Sequence, residues 1–142
     1  SRYVESGSRE GATTVCGGGP IRGSGYFFEP TVLTGTSPSM AVDREEVFGP
    51  VVSVTPFDTV DEVLGRANDT PYGLAAGVWT GSLKVAQQLS RDLRAGTVWV
   101  NCYNVFDPAL PFGGYKQSGW GREYGAAAID VYTQTKTVAA AT

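Results

Sequence analysis

Between Val51 and Asn101 the apolar residues change their period again and again, and this alternation leaves few architectures open. Val51 to Pro56 is a short β-branched run that reads as a buried strand. Asp58-Thr59 follow as a helix start, with Asp61 and Glu62 in the first turn, where the helix dipole favours acids. Val60, Val63, Leu64 and Ala67 then recur at i, i+3, i+4 and i+7, which makes one helical face apolar. Asn68-Asp69-Thr70-Pro71-Tyr72-Gly73 ends that helix. Leu74 to Thr80 returns to a strand. Ser82 opens a second amphipathic helix through Leu83, Ala86, Leu89 and Leu93, with Gly96 as its closing cap. Thr97-Val98-Trp99-Val100-Asn101 shows little polar alternation, as in a strand covered on both faces. Strand, helix, strand, helix, strand at these lengths means βαβ units. The expected fold is therefore α/β, a mostly parallel sheet with helices on both faces.

The entry into the first of these strands is unusual. Arg44-Glu45-Glu46-Val47-Phe48-Gly49-Pro50 places two carboxylates, a ring and a Gly-Pro turn just before the strand. The acids close a short helical stretch, Ser39 to Glu46. Pro50 lacks an amide donor and drives Gly49 from helical angles, so the helix stops there. Phe48 thus sits on a turn and not on a periodic face. In one reading Phe48 plugs the core and the acids face water; spacing alone favours this. In the other, a carboxylate and a ring stand together at a pocket rim, where a ribose diol and a flat heterocycle could meet them.

Upstream, residues 3–12 read as a helix stopped at Glu10-Gly11, and Thr13-Thr14-Val15-Cys16 as a short strand. Gly17-Gly18-Gly19-Pro20 lacks the Lys-Ser/Thr of a P-loop and the spacing of a dinucleotide loop, so it reads as a flexible hairpin loop. Gly25 to Leu33 is extended and rich in aromatic and β-branched residues. Downstream, Asn104 to Gly121 is loop-rich and begins at the carboxyl end of a strand, the side on which open α/β sheets bind ligands. It carries Phe106, Phe112, Tyr115 and Trp120 among glycines and prolines. These rings are either packed into the core or line an apolar substrate funnel, and the residues alone leave the two readings level.

Composition narrows the chemistry. The chain of 142 residues has a net charge of −3 and no basic footprint, which argues against nucleic acid. No apolar run reaches the roughly 18–20 residues of a membrane span, and no secretory signal is visible. There is no histidine, so a histidine-dependent triad cannot be built, and Cys16 and Cys102 are too few for a zinc site. The two cysteines follow no disulfide or Cys-x-x-Cys spacing, and reduced thiols suit a cytoplasmic protein.

The motifs themselves resemble a known family. Glu45-Glu46-Val47-Phe48-Gly49-Pro50-Val51 is similar to the E-E-(I/V)-F-G-P-V segment of the NAD(P)-dependent aldehyde dehydrogenases. The run from Gly96 to Gly125, with Leu110-Pro111-Phe112-Gly113-Gly114-Tyr115-Lys116 at its centre, resembles that family's C-terminal signature. Gly25-Tyr26-Phe27 through Pro30-Thr31-Val32 matches a further motif at the right interval. The resemblance implies oxidation of an aldehyde to a carboxylic acid with NAD or NADP. A cysteine thiolate attacks the carbonyl, hydride leaves to the cofactor, and a glutamate-activated water hydrolyses the thioester. It implies that Glu46 and Phe48 bind the cofactor at the nicotinamide ribose and ring. It implies that Asn104, Phe106 and Phe112 line the aldehyde tunnel. Arg122 and Glu123 fall on the family's Arg-Glu pair. Asn104 replaces an acid of some relatives, and Gln134 replaces an acid that bridges subunits in some.

By the same resemblance, residues 1–130 correspond to the C-terminal part of the catalytic domain. Residues 131–142, with Val131 to Val138 as a late strand, correspond to the oligomerisation strand of a homo-dimer or homo-tetramer. No residue here matches the nucleophile or the general base. Cys16 and Cys102 are read as structural, and the catalytic groups are expected upstream of Ser1. The chain alone is then an inactive piece of a longer enzyme; the competing reading is a free-standing interaction module that has lost catalysis.

Overall fold

The computed structural model describes all 142 residues. They form two compact units, Ser1–Glu62 and Val63–Thr142. No helix is long and apolar enough to cross a membrane.

In the first unit, helix α1 (Arg2–Glu10) ends at Gly11 in the left-handed region, φ 106°. The Gly7 carbonyl accepts from Ala12 N at 2.8 Å, which closes the turn in the manner of a Schellman cap. Strand β1 (Thr13–Cys16) pairs antiparallel with β2 (Thr31–Thr34), through a bulge between Thr14 and Cys16. Strand β3 (Val51–Val54) lies parallel to β2 in register from Thr31↔Val51 to Thr34↔Val54. The crossover between β2 and β3 holds a single helical turn, α2 (Ala41–Arg44), shorter at both ends than the expected Ser39–Glu46. Val4, Ala12, Leu33, Met40 and Val42 make the core, and Leu33 is 0% exposed. Tyr3, Phe28, Val47 and Val51 pack around it.

Helix α3 (Val60–Asn68) opens with reciprocal caps. Thr59 Oγ1 accepts from Glu62 N at 3.1 Å, and Glu62 Oε2 accepts from Asp58 N at 2.9 Å. Its apolar stripe is only half covered: Val60, Val63 and Leu64 are partly buried, but Ala67 is exposed. In the second unit, β4 (Ala75–Val78) and β5 (Thr97–Val100) pair in parallel around helix α4 (Leu83–Asp92), which Ser82 caps. Gly96 is not the helix cap. The chain leaves α4 at Leu93 in extended conformation, and Gly96 N instead donates to Gly73 O at 3.0 Å. A last short helix, α5, spans Ala127–Asp130.

Three differences from the sequence reading stand out. The strands do not form one sheet: β1-β2-β3 is mixed, and β4-β5 is a separate parallel pair. Only Trp99 of β5 is buried, so that strand is not covered on both faces here. Val131 to Val138 carries no strand hydrogen bonds and is exposed. The physical reason is simple: a strand exists only when paired, and this segment pairs with no strand of its own chain.

Candidate functional site

The turn before β3 is built from its anchors. Val47 packs on the core cluster, with Glu46 on one side and Phe48 on the other, both facing solvent. Side chains alternate along extended backbone, so burying Val47 turns its two neighbours outward together. Pro50 then fixes the exit. Val51 N donates to Gly49 O at 2.8 Å across the proline, a one-residue turn that the ring's fixed φ suits. The Pro50 carbonyl accepts from Thr31 N at 2.8 Å and starts the β2–β3 ladder.

Phe48 is 96% exposed, so it does not plug the core; Val47 does that work. Glu46 makes no hydrogen bond or ion pair within the chain. The two acids are not equivalent. Glu45 Oε2 accepts from the Tyr3 hydroxyl at 2.7 Å, from α1, forty-two residues away in sequence. Sequence reading missed Tyr3: the helical pattern of α1 shows an apolar ring but not where its hydroxyl goes.

The glycine loop offers no phosphate cradle. Gly18 N is taken by Thr31 Oγ1 at 2.9 Å and Gly19 N by Glu29 Oε2 at 3.3 Å. A depression of about 570 Å³ beside it is lined by α1 and loop residues, among them Glu5, Arg9 and Gly18, and holds none of the predicted site residues.

In the second unit the aromatic residues form a ladder. Trp99 is 8% exposed and donates Nε1–H to Val105 O at 2.9 Å. Tyr103 meets Trp99 edge-on at 5.2 Å, Phe106 meets it at 5.7 Å, and Phe112 meets Phe106 at 5.0 Å. These are the tilted contacts that ring quadrupoles favour. Phe106 is 47% exposed and Phe112 partly buried, so the ladder runs from the core to the surface. The base of the ladder at Trp99 is core, and Phe106 beyond it is half exposed. Asn104 is exposed, on left-handed backbone with φ 57°, a conformation asparagine tolerates.

The surrounding glycine-rich loop is a clamp. Lys116 Nζ donates to Asn68 O at 2.8 Å and Thr70 O at 3.0 Å, at the carboxyl end of α3. Tyr115 N donates to Gly73 O at 2.8 Å, and Gly73 N to Ser118 Oγ at 3.0 Å. Arg122 Nη1 donates to Gly121 O at 2.8 Å and Gly114 O at 3.0 Å. Its partners are the loop's own carbonyls. Asn101 closes the strand ends: its Oδ1 accepts from Thr80 N at 2.9 Å and its Nδ2 donates to Thr80 O at 3.0 Å. Asn101 was legible only as a strand end, because this bond needs both strands in register.

Neither cysteine is placed as a nucleophile. Cys16 is exposed with Sγ 3.9 Å from Pro30 O, Cys102 is partly buried after β5, and both are unpaired.

The architecture is α/β, with parallel pairing in both sheets. The profile of the aldehyde dehydrogenase family matches residues 1–138, and the chain belongs to that family. It is 54% identical over 136 residues to the putative aldehyde dehydrogenase DhaS of Bacillus subtilis, covering 96% of this chain and 28% of that protein. Human mitochondrial aldehyde dehydrogenase is 52% identical, with 96% of this chain and 26% of that protein covered. The NAD+ complex of a Bacillus cereus aldehyde dehydrogenase superposes with a TM-score of 0.93 at 53% identity, over 96% of this chain and 28% of that one. The chain thus spans little more than a quarter of the length of these relatives.

Proposed function

We propose that these residues are the C-terminal part of the catalytic domain of an NAD(P)-dependent aldehyde dehydrogenase that oxidises an aldehyde to a carboxylic acid. The observation that carries this is the pair Glu46 and Phe48, held out together on a rigid turn with no partner in the chain. A free carboxylate suits a ribose diol, and an exposed ring beside it suits the flat nicotinamide. When bound, NAD(P) supplies the hydride acceptor. Glu46 holds the ribose hydroxyls, and Phe48 limits the tilt of the nicotinamide ring. Phe106 and Phe112 form an apolar wall for the aldehyde, and Asn104 stands at its mouth.

The nucleophilic cysteine and the general base lie outside these residues. The unpaired strand edges are completed there into a larger, mostly parallel sheet covered on both faces. Residues 131–142 become a strand on joining a second subunit in a dimer or tetramer; the exposed Val131, Tyr132 and Val138 support this. The unpaired Cys16 and Cys102 suit the cytoplasm.

The test is Glu46→Gln in the full-length protein, assayed with NAD and NADP against a panel of aldehydes. Losing a charge-assisted hydrogen bond weakens cofactor binding or slows hydride transfer by roughly tenfold or more. Unchanged cofactor affinity and hydride-transfer rate would sink the assignment.

A further inference from the structure

Adjacent carboxylates pose a problem of choice. Glu45 and Glu46 have the same side chain and sit on the same turn, yet only one can be the ribose ligand. The structure separates them by a contact from far away in sequence. The Tyr3 hydroxyl donates to Glu45 Oε2 at 2.7 Å, and the Arg2 guanidinium lies 5.0 Å from the centre of the Tyr3 ring. The Tyr3 ring itself packs on the core formed by Val4, Leu33 and Val42. One side of Glu46 is therefore tethered through Glu45 to α1, and the other side is pinned by Val47 in the same core. Between these two fixed points Glu46 faces outward.

We propose that Tyr3 is a positioning residue for cofactor binding: its hydrogen bond anchors Glu45, and the anchored turn holds Glu46 out to the nicotinamide ribose. This rests on the reading of Glu46 as the ribose ligand. Tyr3 touches no reacting atom. Its effect is to tether the turn to α1 through Glu45 and so stiffen it, which lowers the ordering cost of binding. A hydroxyl bonded to a carboxylate is well suited to this, because charge-assisted bonds are stronger than neutral ones.

The test uses the full-length protein with Tyr3→Phe and Glu45→Ala, singly and combined, beside Glu45→Gln and Glu46→Gln. NAD+ affinity is read by fluorescence titration, together with the KM of NAD+, the KM of the aldehyde and the melting temperature. Tyr3→Phe keeps the ring in the core and is expected to weaken NAD+ binding roughly fivefold, as loss of one such bond does. The aldehyde KM stays unchanged. Glu45→Ala gives the same loss, the double variant is no worse than either, and Glu45→Gln, which keeps an acceptor oxygen, restores most of the affinity. If Tyr3→Phe fails to fold, Glu45→Ala on the exposed side of the same bond carries the test. Unchanged NAD+ binding in Tyr3→Phe or Glu45→Ala, with Glu46→Gln impaired, overturns the role of Tyr3 and leaves the ribose contact standing. Additive losses, or an equal rise in the aldehyde KM, also overturn it. No effect from Glu46→Gln removes the ribose contact itself, and this proposal with it.

Discussion

The turn before β3 and the aromatic loop after β5 use aromatic residues in opposite ways. Phe48 is held off the core on a proline-stiffened turn and touches nothing that would bury it. Phe112 packs on Phe106, and Phe106 rests on Trp99. The first arrangement leaves its ring uncovered. The second is already a small core with one open end. The difference lies in the backbone. At the turn, a single partly buried residue, Val47, fixes two exposed ones. In the loop, close backbone approach and hydrogen bonds from Lys116, Arg122 and Asn101 fix the whole path.

The sharpest way to break this contrast is a methyl group on each glycine. A Cβ on Gly96 would lie 1.6 Å from the Gly113 carbonyl oxygen, whereas one on Gly49 meets nothing within 4 Å. Gly96→Ala is expected to cost more than about 4 kcal/mol, seen as loss of soluble protein or a collapse of the denaturation midpoint. Gly49→Ala should stay within about 1 kcal/mol and shift stability upward, by restricting the unfolded chain. Equal effects would mean that the loop is as adaptable as the turn.

Side-chain deletion sharpens the same point at smaller scale. Phe112→Ala removes one rung of the ladder and should lower stability by about 2 kcal/mol in denaturant titration. Phe48→Ala should change cofactor-free stability by less than about 0.5 kcal/mol, while weakening NAD+ binding in the full-length protein. A large stability loss from Phe48→Ala would show that the ring is a structural plug after all.

The smallest effect belongs to Arg91 and Asp92 on α4. The hydrogen bond from Arg91 holds the Asp92 carboxyl below its ordinary range, ahead of the opposing effect of burial. A depressed carboxyl stabilises the fold above its unfolded pKa, and that contribution fades as pH falls through the lower folded value. The pair is exposed, with Nε and Oδ1 at 2.7 Å, so solvent screens most of it. Asp92→Asn is expected to leave the melting temperature almost unchanged at neutral pH. Any small difference from the parent should vanish on acidification below the carboxylate range.

Much of this was legible in local sequence. The strand–helix alternation from Val51 to Val100, the Gly11 stop, the Thr59 and Ser82 caps and the Gly-Pro break all act within a few residues, where propensity and capping decide. The misreadings have a common cause. Gly96 follows an amphipathic run and so resembled a cap, but Gly113, seventeen residues on, dictates why it is glycine. The one continuous sheet expected from alternation became two, because strand order depends on partners that period alone does not name. Val131 to Val138 likewise pairs with no strand of its own chain, and period alone does not say whether a second subunit supplies its partner.

At the candidate site the division is clear. Sequence alone put Glu45, Glu46 and Phe48 on a stiff turn and four rings into one loop, because proline geometry and glycine spacing are local properties. Only the tertiary structure decided that Val47 and not Phe48 enters the core, and that Tyr3 claims Glu45 and leaves Glu46 free. The Tyr3–Glu45 bond joins residues forty-two positions apart, the core that takes Val47 gathers residues from Val4 to Val42, and a linear pattern carries no record of which distant groups will meet.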